Sequence, residues 1–152
     1  SWFDATRLVQ ETVQVAQAAR PDRASCFVIT GGEVNVCAYG PANDVRQILL
    51  TLLINAADAV APDGRIEADA TKTEKEVWLR IRDNGRGFTE SMRQTFFTPF
   101  QSYSEDGKGT GLGLSIAQAL AEGMGASLRP YSDGPGRGSM FILAIPTPEN
   151  VP

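Results

Sequence analysis

The sequence predicts an α+β fold, one mixed sheet under a layer of helices, on three observations. An apolar stripe with helical spacing runs from Pro41 to about Val60. Residues 65–71 and 76–82 alternate apolar and polar side chains. Residues 126–131 and 139–145 form two closing strands around a glycine-rich turn. Strands in runs, broken by few helices, bury their apolar faces best as a two-layer sandwich.

The elements follow in order. Residues 3–19 carry Leu8, Val9, Val13 and Val15 at helix-like intervals with alanines between, and Pro21-Asp22 ends that helix. Residues 24–30 read as a strand, Gly31-Gly32 as a turn and 33–38 as a second strand. Pro41-Ala42-Asn43-Asp44 opens the strongest helix, whose apolar face is Val45, Ile48, Leu49, Leu52, Leu53, Ala56 and Val60. Pro62-Asp63-Gly64 is a turn. The strands 65–71 (Ile66, Ala68, Ala70) and 76–82 (Val77, Leu79, Ile81) pair, and a loop at Asp83 follows. Residues 89–95 form a short helix, 98–110 a polar glycine-containing loop, and 111–122 a helix that starts directly on glycines. After the strands 126–131 and 139–145, residues 146–152 are a tail.

Composition narrows the chemistry. The chain has 152 residues, 42% hydrophobic and 21% charged, enough for one soluble domain with a single core. The net charge of −4 and the absence of a basic stripe argue against a nucleic-acid partner. No apolar run is long enough to span a bilayer and the start carries no signal-peptide pattern, so no direct membrane contact is expected. The chain opens mid-stream at Ser1-Trp2-Phe3 and reads as a fragment of something longer. Cys26 and Cys37 make no disulfide framework; both are expected to be buried, inert thiols in a reducing cytoplasm. There is no histidine, which removes histidine-based metal sites, triads and general bases.

Four segments carry the chemistry. On the helix 42–60, Thr51, Asn55 and Asp58 stand at i, i+4 and i+7 and share a stripe beside the apolar face. One reading gives Asn55 a magnesium ion through its amide oxygen; the other is a plain polar helix flank. Asp83-Asn84-Gly85-Arg86-Gly87 follows an alternating strand. Its glycines let a flat ligand approach while the carboxylate accepts a hydrogen bond from an exocyclic amine, although Asp-Asn-Gly is also a common turn. Gly107–Leu114 has four glycines in seven positions feeding an amphipathic helix (Leu112, Leu114, Ile116, Ala119, Leu120), with Lys108 beside them. Such a turn offers free N–H groups and the positive helix end to an anion. It fits neither the Walker pattern nor Gly-x-Gly-x-x-Gly. Gly136-Arg137-Gly138-Ser139-Met140-Phe141 is the last glycine segment.

Taken in order, these segments resemble the catalytic and ATP-binding domain of sensor histidine kinases, within the GHKL superfamily that includes gyrase B, MutL and a heat-shock chaperone. The resemblance covers nearly the whole chain. Residues 47–59 are similar to the N box, Asp83–Gly87 to the first glycine box, Phe97-Thr98-Pro99-Phe100 to the F box, Gly107–Leu114 to the second glycine box and Gly136–Phe141 to the last. The resemblance implies a Bergerat-type ATP site in a two-layer α/β sandwich, a mainly antiparallel mixed sheet under three main helices. It implies that Asn55 binds Mg²⁺ and that Asp83 recognises the adenine amine. Gly85 and Gly87 would shape the adenine pocket, and Asp58, Phe97 and Phe100 would be further nucleotide-binding residues. Residues 98–110 would be the lid. Lys108, Gly109, Thr110, Gly111, Leu112 and Gly113 would hold phosphates, and Ser139 stands where the family usually has a threonine.

The implied reaction is phosphoryl transfer to a histidine, with Asn55 and Lys108 as the catalytic residues. The acceptor would lie on an upstream helical dimerisation domain, and a response-regulator receiver domain would be the further partner. The setting would be cytoplasmic, as the inner part of a membrane-bound sensor or otherwise. Two departures stand out. Thr51 occupies the position where hydrolysing members carry a glutamate base and most histidine kinases an asparagine, which disfavours a water-activating ATPase. Gly123-Met124-Gly125 replaces a frequent His-Gly-Gly. The rival readings are an anti-sigma serine kinase and a non-catalytic adaptor that has lost ATP.

Overall fold

The computed structural model describes residues 1–30, 32–99 and 113–148. The elements are β1 (Trp2–Asp4), α1 (Ala5–Ala19), a 3₁₀ turn (Pro21–Cys26), β2 (Phe27–Ile29), β3 (Cys37–Tyr39), α2 (Ala42–Ala59), β4 (Ile66–Lys72), β5 (Glu76–Asp83), α3 (Glu90–Arg93), α4 (Gly113–Gly123), β6 (Ser127–Tyr131) and β7 (Ser139–Pro146). Five strands form the main sheet in the order β2-β4-β5-β7-β6. β2 runs parallel to β4, and the other pairings are antiparallel. Helices α1, α2 and α4 cover one face, with α2 touching both of the others. This is the expected two-layer sandwich.

Period-two alternation builds the interface. Ile66, Ala68 and Ala70 of β4, Val77, Leu79 and Ile81 of β5 and Phe141, Leu143 and Ile145 of β7 point into the helical layer and are buried. From the other side come Val45, Ile48, Leu49, Leu52, Leu53, Ala56 and Val60, the stripe predicted for α2. The strand alternation does not stop at Ile81. Asp83, two residues on, takes the next inward position and is buried with them.

The amino-terminal quarter differs from expectation. Residues 24–30 and 33–38 do not form a hairpin. Residues 21–26 are a 3₁₀ turn that starts on Pro21, and only Phe27–Ile29 are extended. β3 instead pairs with β1, Trp2 facing Tyr39, in a separate two-stranded sheet. β1 is three residues long, too short to show a period. It ends at Asp4, whose carboxylate caps α1 by accepting from the Arg7 N–H at 3.0 Å. Val15 is not on the buried face of α1 but 52% exposed, because two residues beyond Val13 is a rotation of about 200°. Cys26 is buried as expected, but Cys37 is exposed, since β3 turns Ala38 inward and its neighbours outward. No described helix is long and apolar enough to cross a membrane.

Candidate functional site

The site forms where the carboxyl end of β5 meets the last turn of α2 and the turn before β7. Asp83 is 5% exposed. Its Oδ2 accepts from the Ser139 hydroxyl at 2.8 Å and its Oδ1 from the Gly85 N–H at 2.8 Å. Ser139 stands directly opposite Asp83 in the β5–β7 register, so the sheet itself pairs them. Burial pushes the Asp83 carboxyl above the ordinary carboxylate range; the hydrogen bonds from Ser139 and Gly85 and the nearby Arg86 charge oppose that shift without reversing it.

Glycine is required here by close approach. A Cβ on Gly85 would collide with the Ala59 carbonyl at the end of α2. One on Gly138, which has φ +69°, would collide with the Asp83 carbonyl. Backbone hydrogen bonds stitch the same parts: Arg86 N to Ala59 O at 3.0 Å, Gly138 N to Gly85 O at 3.0 Å and Gly136 N to Arg86 O at 2.7 Å. Gly87 is pressed against the 132–138 turn, and Ser132 ties the two together. The Ser132 hydroxyl accepts from Phe88 N at 3.1 Å and Gly134 N at 3.2 Å and donates to Gly138 O at 2.7 Å. Sequence reading missed Ser132, because a serine in a turn carries no signal of what it bonds.

Helix α2 runs along the site. Thr51, Asn55 and Ala59 are successive i+4 neighbours on one stripe. Ala59 abuts Gly85, while the Thr51 methyl lies 3.4 Å from where a Cβ on Gly113 would stand, at the described start of α4. Asn55 therefore lies midway between the two glycine segments, about 6 Å along the axis from either end of the stripe. It is half-buried and its side chain makes no hydrogen bond to a described residue. Thr51 is otherwise engaged: its hydroxyl donates to the Gln47 carbonyl at 3.0 Å. The Asp58 carboxylate is ion-paired with Arg20 of the α1 cap, outside the Asp83–Gly85 cluster. The structure brings Asn55, Asp83, Gly85, Gly87, Gly113 and Ser139 around α2 and β5; Asp58 meets this loop only through its backbone carbonyl, which accepts from the Arg86 guanidinium at 3.3 Å, while its carboxylate turns to Arg20.

Phe97 is half-buried against the core. Phe96 proves the more deeply placed of the two, 7% exposed and edge-on to Phe88 at 4.6 Å, with Phe141 at 6.0 Å. Phe100, Lys108, Gly109, Thr110, Gly111 and Leu112 lie outside the described residues. Among the described residues no three His, Cys, Asp or Glu side chains gather as a metal cluster. Asn55 fits a hard cation that takes most of its oxygens from a phosphate ligand and water, since its amide oxygen is uncommitted.

Comparison with known proteins adds the following. The sequence family described as histidine kinase-, DNA gyrase B-, and HSP90-like ATPase matches residues 40–149. The chain is 34% identical over 114 residues to the two-component sensor PprA of Pseudomonas aeruginosa, covering 70% of this chain and 12% of that protein. It is 28% identical over 144 residues to the sensor histidine kinase ZraS of Klebsiella oxytoca, covering 94% of this chain and 30% of that one. The chain thus spans under a third of these relatives. In fold it is similar to the mycobacterial sensor histidine kinase MprB (TM-score 0.83, 24% identity, 96% of this chain and 97% of that one). It is likewise similar to the catalytic domain of histidine kinase ThkA (TM-score 0.82, 22% identity, 97% and 98%).

Proposed function

Because this chain belongs to the histidine kinase-, DNA gyrase B- and HSP90-like ATPase family, we propose that it is the part of a sensor histidine kinase that binds ATP and passes the γ-phosphoryl group to a histidine on a separate domain. The observation that carries the reading is the α2 stripe. One helix touches the loop of a buried carboxylate at one end, the start of α4 at the other, and presents between them an amide that bonds no described residue. The stripe is about 12 Å long, the reach needed to hold a base at one end and phosphates at the other.

Each residue has a task in this reading. Asp83, fixed by Ser139 and Gly85, accepts a hydrogen bond from the adenine amine. Gly85 and Gly87 keep the pocket flat. Asn55 holds Mg²⁺, which would neutralise charge on the phosphate oxygens. Lys108 and the 109–113 backbone take the remaining phosphate charge. Asp58 contributes by holding the last turn of α2 to Arg20. Transfer of this kind is mostly positioning and charge neutralisation. The acceptor imidazole nitrogen bonds to the γ-phosphorus as the β–γ bridging bond breaks, and ADP leaves with that electron pair. The chain contains no histidine, so the acceptor is supplied by the histidine-bearing dimerisation domain, and a receiver domain takes the phosphoryl group onward. Hydrolysis is disfavoured because Thr51 has spent its hydroxyl on Gln47 and offers water no base.

The test is calorimetric titration of ATP, with and without Mg²⁺, into this chain and into Asp83→Asn. Magnesium-dependent binding, weakened at least about tenfold in the variant, is the expected result. No binding at millimolar ATP to the folded chain would overturn it in favour of a non-catalytic adaptor.

A further inference from the structure

The open face of the sheet carries charged rows that run across the strands. In one, Arg80 makes a two-pronged ion pair with Asp69 at 2.7 and 2.8 Å. Arg129 reaches Glu76 at 2.8 Å. These pairs lie over Ile142 and Ala144 and cancel their own charge. The row nearest the Asp83 end is different. In register it reads Glu67, Arg82, Met140, Tyr131. Glu67, the cross-strand neighbour of Arg82, is taken instead by Arg65 at 2.7 Å. Among the described residues Arg82 is left with only the Met140 sulfur at 3.4 Å, and Arg137 has no ion pair. Both arginines line one cleft of about 450 Å³, with Arg65, Tyr131 and Asn84 around them. That volume is within the range of about 300–1,000 Å³ of small-molecule sites.

We propose that this cleft, on the sheet face opposite the helices, binds a small anion with two acid groups, one for Arg82 and one for Arg137. Guanidinium is a planar fork that matches a carboxylate or a phosphate. The cleft is lined by three arginines and three carboxylates, Glu67, Asp83 and Asp133. Glu67 is ion-paired with Arg65 and the buried Asp83 carboxyl is held by Ser139 and Gly85, so the exposed Asp133 is the carboxylate that opposes the ligand. A single acid group would leave one fork empty. The Asn84 side-chain oxygen is fixed by the Arg65 N–H at 2.8 Å, which leaves its NH₂ as a further donor. No residue of the α2 stripe lines it, although Asp83, Gly138 and Ser139 of the proposed base pocket border it.

The experiment is a low-salt titration of the ¹⁵N-labelled chain with succinate and, separately, with inorganic phosphate, following backbone amide shifts. Saturable shifts at Arg82, Asn84, Gly138 and Met140 are expected. They should weaken at least about tenfold in Arg82→Gln/Arg137→Gln and also in Arg82→Lys, which keeps the charge and loses the fork. Arg7→Gln, an exposed arginine on α1, should leave them unchanged. Stronger binding of succinate supports the two-acid ligand, and stronger binding of phosphate, which brings a single acid group, overturns it. Shifts that never saturate, or an affinity equal in the double variant, overturn the site. ATP titrated into the same sample keeps the two questions apart: loss of ATP binding with succinate binding intact counts against the kinase reading alone.

Discussion

At the scale of the residue, Asp83 joins stability to pH. Its carboxyl titrates above the usual range because burial disfavours the charge, so in the window just above an ordinary carboxylate pKa the folded state binds more protons than the unfolded one. Stability contributed by this group is complete below the unfolded pKa and lost as pH rises through the folded one. Urea titrations across that window should therefore show a falling contribution in the native chain that is missing from Asp83→Asn; equal pH slopes would contradict the assignment. Gly138→Ala should cost on the order of 2 kcal/mol, from positive φ and the collision with the Asp83 carbonyl. Thr51→Val should leave ATP affinity unchanged, since the hydroxyl it removes serves Gln47 and not the site; a large loss would place that hydroxyl on the ligand. Asp83 was legible in the sequence because two glycines follow it at the end of an alternating strand; that it belongs to the strand, as its next inward residue, was not. Ser132 was not, because hydrogen bonds made by a turn hydroxyl depend on which loops tertiary packing brings near it.

At the scale of the element, the aromatic cluster of Phe88, Phe96 and Phe141 fastens the segment after α3 to β7. Phe96→Ala should destabilise the chain by about 3–5 kcal/mol in urea denaturation, as for other buried phenylalanines. Phe97→Ala should cost less, being only half-buried. The long elements were readable because their periods span many residues: the whole apolar stripe of α2 and both partners of the β4–β5 hairpin came from spacing alone. β1 to β3 were not. Each has three residues, and the real partner of β3 is β1, more than thirty positions away, not the strand just before it. A turn signal such as Gly31-Gly32 does not say which strands pair on either side of it.

At the scale of the whole molecule, helices and sheet share one core that contains residues of α1, α2, α4 and every long strand. Unfolding followed by tryptophan fluorescence, from Trp2 in β1 and Trp78 in β5, and by far-ultraviolet circular dichroism should give coincident transitions; separate midpoints would mean that the β1–β3 sheet melts on its own. The two thiols extend this to time. Cys37 stands in solvent on a short strand, while Cys26, 2% exposed, lies against the Ala61 and Pro62 carbonyls beyond the end of α2. A soluble maleimide should thus consume one equivalent at the speed of a free thiol and then wait. The second equivalent is released only when the chain around the end of α2 opens, so its rate counts openings of the native state one by one, and a bound ligand that holds that end should slow it.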